Sequence, residues 1–247
     1  FIWFIIIMMI EWYVEGRSMN RNEKREIDQH TIADWPIEIH NLSEIPEEYQ
    51  REILISLNNN ILDYVLIFAP TCRMVMESFD YLFAYGKDEV VYFKKEFGTI
   101  KHTVIKRINI FKIITRKELL DAEIIIESKD GMIVFPYVPS SYYLYDPFLN
   151  WLMGLKVDFL PHIAEQKNPR PKKLYYDSLT MYNYSLAAYR LGNGFQKYSY
   201  KVEKRRKKWV PWKSSLEEWL DIIMDRGIFH LHSLEYLTEC IYEFSNI

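Results

Sequence analysis

The spacing of apolar and polar positions predicts a helix near the start of the chain, strands through its middle and mostly helices towards its end. After Pro46, Tyr49, Ile53, Leu54 and Leu57 recur at helical spacing, and Asn58-Asn59-Asn60 supplies a stop. From residue 61 the period shortens. "ILDYVLIFAP" reads as a strand ended by Pro70, and "SFDYLFAYG" and "DEVVYFKKE" as two more joined by a turn at Gly86-Lys87. "KHTVIKRINIFKII" alternates in part, which places Val104, Ile108 and Ile110 on one face. In "AEIIIESKDGMIVFPY" two β-branched runs flank Lys129-Asp130-Gly131. Asp-Gly accommodates the positive φ of a tight hairpin turn, so this segment predicts a hairpin.

"YDPFLNWLMGL" then predicts a helix. Asp146 serves as its cap, Pro147 suits its first turn, and Phe148, Trp151, Leu152 and Leu155 form its apolar stripe. "EQKNPRPKK" reads as a linker stiffened by Pro169 and Pro171. "YDSLTMYNYSLAAYRLGNG" reads as a helix capped by Asp177 or Ser178, striped by Leu179, Tyr182, Leu186 and Tyr189, and ended by Gly192. "QKYSYKVE" alternates, with Tyr198, Tyr200 and Val202 on one side, and predicts a strand. Ser214 and Glu217 have capping-box spacing, so "SLEEWLDIIMDRG" reads as a helix ending at Gly227, and "SLEYLTECIYEF" as another.

Antiparallel strands closed by one amphipathic helix with a buried Trp resemble a pleckstrin-homology-like barrel. The string "VVYFKKEFGTIKHTVIKRINIFKIITRKELLDAEIIIESKDGMIVFPY" is similar to bacterial members of that superfamily, in which an "I..I" segment precedes a hairpin with an Asp-Gly turn. The resemblance covers residues 61–156. It implies an α+β fold: an antiparallel barrel capped by a helix, followed by a mostly helical C-terminal module over residues 157–247. Lipid-binding members carry several cations in the first hairpin. The matching stretch, "APTCRMVMESFD", offers only Arg73, so phosphoinositide binding is not implied. A shared fold does not fix a function in any case.

Residues 19–60 form an acidic, helical N-terminal arm on this reading. The first eighteen residues, "FIWFIIIMMIEWYVEGRS", stand apart. Their apolar run is shorter than the roughly 20 residues a membrane-spanning helix needs. They lack the basic front and small-residue cleavage site of a signal peptide. Two expectations remain open: upstream DNA read through ahead of Met19, or a truncated membrane anchor flanked by Arg17, Arg21, Lys24 and Arg25.

The net charge of −3 points to no partner, but its distribution says more. Residues 161–213 carry 13 basic and 3 acidic side chains, whereas residues 214–247 carry 1 and 7. Either the basic block is an interaction surface or the acidic tail folds back on it. The charge peaks in "EKRRKKWVPW". Lys204, Arg205, Arg206, Lys207 and Lys208, with Trp209 and Trp212, are the candidate site. Cations beside Trp suit an anionic membrane surface, or equally a protein partner. Nucleic acid is the alternative, since cations neutralise phosphate and aromatics stack on bases. A solvated loop over buried tryptophans is the plain structural explanation. The tyrosines of "SSYYLYDP", Tyr142, Tyr143 and Tyr145, are a second candidate contact surface, against burial in the core.

The sequence points away from familiar catalysis. It contains no G-x-S-x-G, H-E-x-x-H or P-loop motif, and its 8 glycines leave little from which to build a phosphate loop. "GNG" at 192–194 reads as a helix stop. His230 and His232 would share a face on a strand and could then hold a metal, but here they read as the link between two helices. The adjacent pairs Asp88-Glu89, Glu47-Glu48 and Glu217-Glu218 diverge in direction, so none makes a general acid–base pair. Cys72 and Cys240 suit a reducing cytosol and pack as small hydrophobes. The expectation is a cytoplasmic binding protein, free or membrane-associated, without metal or cofactor.

Overall fold

The structure is a computed structural model that describes residues 35–70, 80–96, 99–119, 121–207 and 210–245; for Glu96 and for residues 206, 207 and 210–213 it describes the backbone alone. The chain divides into residues 1–35 and 36–247, and every element named below belongs to the second unit. The expectations for residues 1–34, Cys72 and Arg73 fall outside the described residues.

Two antiparallel sheets are present among the described residues. The first runs β1 (Ile37–Ile39), β2 (Val65–Ala69), β3 (Tyr81–Gly86), β4 (Glu89–Glu96) and β5 (Thr99–Lys106), in that order. The second is built from β6 (Ile110–Glu118), β7 (Asp121–Ser128), β8 (Gly131–Tyr137), β9 (Lys197–Lys207), β10 (Val210–Met224), β11 (Gly227–Leu234) and β12 (Leu237–Phe244). Its spatial order is β8-β7-β6-β12-β11-β10-β9. The helices are α1 (Glu47–Ser56), α2 (Tyr142–Leu152), α3 (Pro161–Lys167), α4 (Lys172–Asp177) and α5 (Leu179–Tyr184). The chain is α+β, as expected, but both sheets are open and no barrel closes among the described residues.

The central strands of the first sheet, β2 to β4, are buried on both faces, which is why they read as unbroken apolar runs, whereas β5 is largely exposed. Leu66, Leu82, Val91 and Phe93 pack against Tyr49, Ile53 and Leu57, three of the four residues of the predicted stripe, while Leu54 is only partly buried. Asn58 and Asn59 end that helix at positive φ, as their composition predicts. The opposite face meets β8 and α2. Phe83 lies 5.0 Å from Phe135 and 4.7 Å from Phe148, ring centre to ring centre. Each such ring buries a large apolar area. Trp151 lies partly buried at the margin of this core, 5.3 Å from Tyr85.

Several local expectations shift. The β3–β4 turn is Lys87-Asp88, both at positive φ, one residue later than expected. Gly86 is required because a Cβ there would lie 2.3 Å from the Asp63 carbonyl oxygen. The Lys129-Asp130 hairpin is present, with Ser128 paired to Gly131. "KHTVIKRINIFKII" is two strands joined by a 3-10 turn at Arg107–Asn109, and that corner resets the alternation. Ile105 and Ile110 are therefore buried, whereas Val104 and Ile108 are exposed. The helix predicted from Asp146 begins at Tyr142 instead and carries Pro147 in its interior. Asp146 is then free to pair with Arg190. The expected linker is packed: Arg170 pairs with Glu165 and lies 3.9 Å over the Tyr182 ring. The helix predicted over 177–192 becomes α5 and a 3-10 stretch, Ser185–Leu191, while α4 precedes it over residues read as linker and helix start. Ser178 caps α5, accepting from Met181 N at 3.2 Å, while Leu179 is exposed rather than part of a stripe.

The largest correction is at the end of the chain. Residues 214–226 and 233–244, read as helices, are strands and the tight turns that end or join them. In β12, Thr238, Cys240, Tyr242 and Phe244 point one way at a period of two, a pattern that favours a half-buried strand. The β11–β12 turn is Glu235-Tyr236, with Glu235 at positive φ, and contains no Gly, Asn or Pro to announce it. The C-terminal region is thus helical only to residue 191. β12 pairs with β6 through Ile241 and Ile114, so the second sheet draws on both sides of residue 156. No helix among the described residues is long and apolar enough to cross a membrane.

Candidate functional site

The predicted basic segment forms the end of a long hairpin. Pairing of β9 with β10 runs from Lys197↔Ile223 to Arg206↔Ser214, then past an irregularity to Lys207↔Val210. β11 covers β10 only from Met224 to Glu217. Beyond that point β9 and β10 continue as a two-stranded ribbon. Lys204, Arg205, Arg206 and Lys207 lie on it, and Trp212 lies on its return strand. Lys208 and Trp209 fall outside the described residues, as do the side chains of Arg206, Lys207 and Trp212. β9 pairs with no second strand among the described residues and is an edge. Its cations also discourage edge-to-edge association with another sheet.

The root of the ribbon is held by a polar row that the helix reading hid. In β10, Leu220, Ile222 and Met224 enter the core, so Glu217, Trp219 and Asp221 share the other face. Lys201 Nζ lies 5.1 Å over the Trp219 ring. Trp219 stacks on His232 at 5.5 Å with the planes 12° apart. His232 Nε2 is 2.9 Å from Glu217 Oε1, and Arg205 ion-pairs with Glu217 Oε2. No well-formed hydrogen bond from the described residues reaches that Oε2, so Arg205 neutralises it by charge alone. The row continues on β12 and β6, where Arg116 Nε donates to Glu239 Oε2 at 2.8 Å. The acidic tail therefore does meet the basic strand, through Glu217 on Arg205.

His230 and His232 do share a strand face, on β11 rather than between helices. Each is held by a carboxylate, and His230 Nδ1 lies 2.7 Å from Asp221. No cluster of three or more potential metal ligands occurs among the described residues. The legible signal was the alternation Phe229, Leu231 against His230, His232. The tyrosine candidates divide. Tyr142 and Tyr143 are exposed, while Tyr145 is buried and its hydroxyl lies 2.6 Å from that of Tyr81. Burial pushes the Tyr145 phenol well above its ordinary range. "GNG" ends the 3-10 stretch and also receives a carboxylate, since Asn193 N and Gly194 N donate to Asp225 Oδ2 at 3.0 and 2.6 Å. A Cβ on Gly194 would fall 1.7 Å from Asp225 Oδ1, so this loop is filled from within.

No protein-family model, curated protein or solved structure matches the chain.

Proposed function

We propose that the protein is a non-catalytic binding protein whose β9–β10 ribbon docks on an anionic surface, either an acidic protein face or an anionic membrane. The observation that carries this reading is the overrun of β9 and β10 past β11. It carries the backbone of Lys204 to Lys207 past Glu217, the last residue of β10 that β11 covers, while Arg205 reaches back to that carboxylate. Trp209 and Trp212, placed by sequence at the same end, suit an interface that is half apolar. A pleckstrin-homology-like arrangement of residues 61–156 is part of the proposal. It is supported by the antiparallel strands β2–β5 and β6–β8 followed by α2, which brings Trp151 to the shared core. A cytosolic location is proposed as well, supported by the free thiol of Cys240.

Sedimentation with phosphatidylserine-containing vesicles, alongside heparin retention, tests the reading. Both are expected to fall steeply with salt. Both are expected to fall again when Lys204, Arg206, Lys207 and Lys208 become Ala, with Arg205 left to hold Glu217. Unchanged binding in that variant would remove the proposal. Binding to oligonucleotides but not to vesicles or acidic proteins would turn it towards nucleic acid.

A further inference from the structure

Away from the ribbon, α2 ends beside a cleft of about 580 Å³, within the range usual for small-molecule sites. It is lined by the apolar side chains of Leu152, Met153, Ile110 and Phe244, by the Arg107–Asn109 turn, and by Lys129 and Arg226. The α2 terminus explains part of this. Gly154, at φ +69, closes the helix, and Leu155 N returns to Asn150 O at 2.9 Å. Arg107 Nη1 and Arg226 Nη2 donate to the carbonyls of Trp151 and Met153 at 3.4 and 2.6 Å, which offsets the negative end of the helix dipole.

The charge left over is the informative part. Asp88, the one acid among the described residues of the cleft wall, is taken by Arg107. Among the described residues Lys129 has no ion pair or side-chain hydrogen bond, and the Arg226 side chain makes only its bond to Met153. The lining of the cleft thus combines an ammonium and the unused N–H groups of a guanidinium with buried apolar side chains. At its lip Ile108 is 89% exposed and Phe111 42%. Exposed apolar side chains next to unpaired cations, around a concavity, match a ligand with an apolar body and a single anionic end.

We infer that this cleft binds a small amphipathic monoanion, a medium-length acyl chain ending in a carboxylate. The carboxylate would be received by Lys129 and Arg226, and the chain would cover Ile108 and Phe111. The inference is independent of the ribbon.

Calorimetric titration with decanoate tests it, with decan-1-ol and decyltrimethylammonium as neutral and cationic probes of the same chain length. Saturable one-to-one binding of decanoate is expected, with decan-1-ol about tenfold weaker, the size of one charged hydrogen bond. The cationic probe should give no saturable heat. Lys129→Glu and Phe111→Ser, both at exposed positions, should each weaken decanoate about tenfold with an unchanged circular dichroism spectrum. Replacing Lys204 and Arg206 by Ala should leave decanoate affinity as it was. Absence of saturable decanoate binding overturns the inference, and so does equal affinity in wild type, Lys129→Glu and Phe111→Ser.

Discussion

Arg205 and Glu217 form an ion pair across β9 and β10 with very unequal exposure: the arginine side chain keeps 59% of its surface in water, the glutamate 5%. A buried carboxylate is costly unless its charge is met. Here one oxygen is met by His232 from β11 and the other by Arg205 from the edge strand. Glu217 therefore ties the ribbon's root to the body of the sheet at the last residue of β10 that β11 covers.

Glu217→Gln keeps a hydrogen-bonding partner for His232 but removes the charge that Arg205 seeks. Because Arg205 is exposed, the loss is worth about 0.2–1 kcal/mol. Amide hydrogen exchange over residues 201–205 is expected to quicken by roughly two- to fivefold, while β6–β8 stay as protected as before. Identical exchange at 201–205 in the variant would show that the pair does not anchor the ribbon.

A second pair works inside the fold. Arg190, buried, donates through Nε to Asn150 Oδ1 at 2.9 Å and through Nη2 to Asp146 Oδ1 at 2.5 Å. It thereby joins the 3-10 stretch after α5 to α2. Asp146 is 40% exposed at its side chain, so losing Arg190 leaves it a carboxylate that water can reach. Losing Asp146 instead strands a buried guanidinium. Asp146→Ala should therefore cost about 3 kcal/mol, and Arg190→Met, whose stem still packs, about 1–2 kcal/mol. Urea unfolding midpoints check that order, and a larger loss for Arg190→Met would contradict it.

Legibility followed the local signal. Helix α1, the Lys129-Asp130 hairpin and the strand at Tyr198–Tyr200 could be read because spacing and turn residues agreed there. The last two hairpins could not. Ser214 and Glu217 imitate a capping box, Gly227 after the Asp225-Arg226 turn reads equally as a helix stop, and the turn at Glu235-Tyr236 carries weak turn chemistry. Glu217 is in fact a strand residue whose partners, His232 and Arg205, lie 15 and 12 positions away in the chain. The cations at 204–208 were plain in the sequence, but the position of residues 204–207 beyond the end of β11 depends on strand register, which no local pattern encodes.

Asp130 gives a pH-dependent clamp at the β7–β8 turn. It accepts from Asn109 Nδ2 at 2.8 and 2.9 Å and from Lys106 N at 2.9 Å. The Asn109 side-chain bond first, and then the Lys106 backbone bond, hold its carboxyl below the ordinary aspartate value. A depressed folded-state value means that this contribution is complete above about pH 3.9, the unfolded value, and fades as pH falls through the folded one. Titration of the Asp130 carboxyl by NMR should give a midpoint under about 3.9. Asp130→Asn should remove that part of the acid dependence of stability, and an ordinary midpoint would show the clamp is not formed.

Cys240 runs in the opposite direction. It lies in the inward row of β12 beside Thr115 of β6, and burial pushes its thiol up to about 11. A raised thiol pKa means that the neutral form belongs to the folded state. The stabilisation is complete below about 8.5, the unfolded value, and is lost as pH rises towards the folded one. At pH 8 the native thiol is therefore both protonated and covered, and the reactive thiolate arises only on unfolding. In a Cys72→Ser background, labelling by a disulfide reagent at pH 8 should be slow in buffer and rise with urea in step with the loss of structure. Labelling of the intact protein within seconds would place Cys240 at the surface, and with it the inward face of β12.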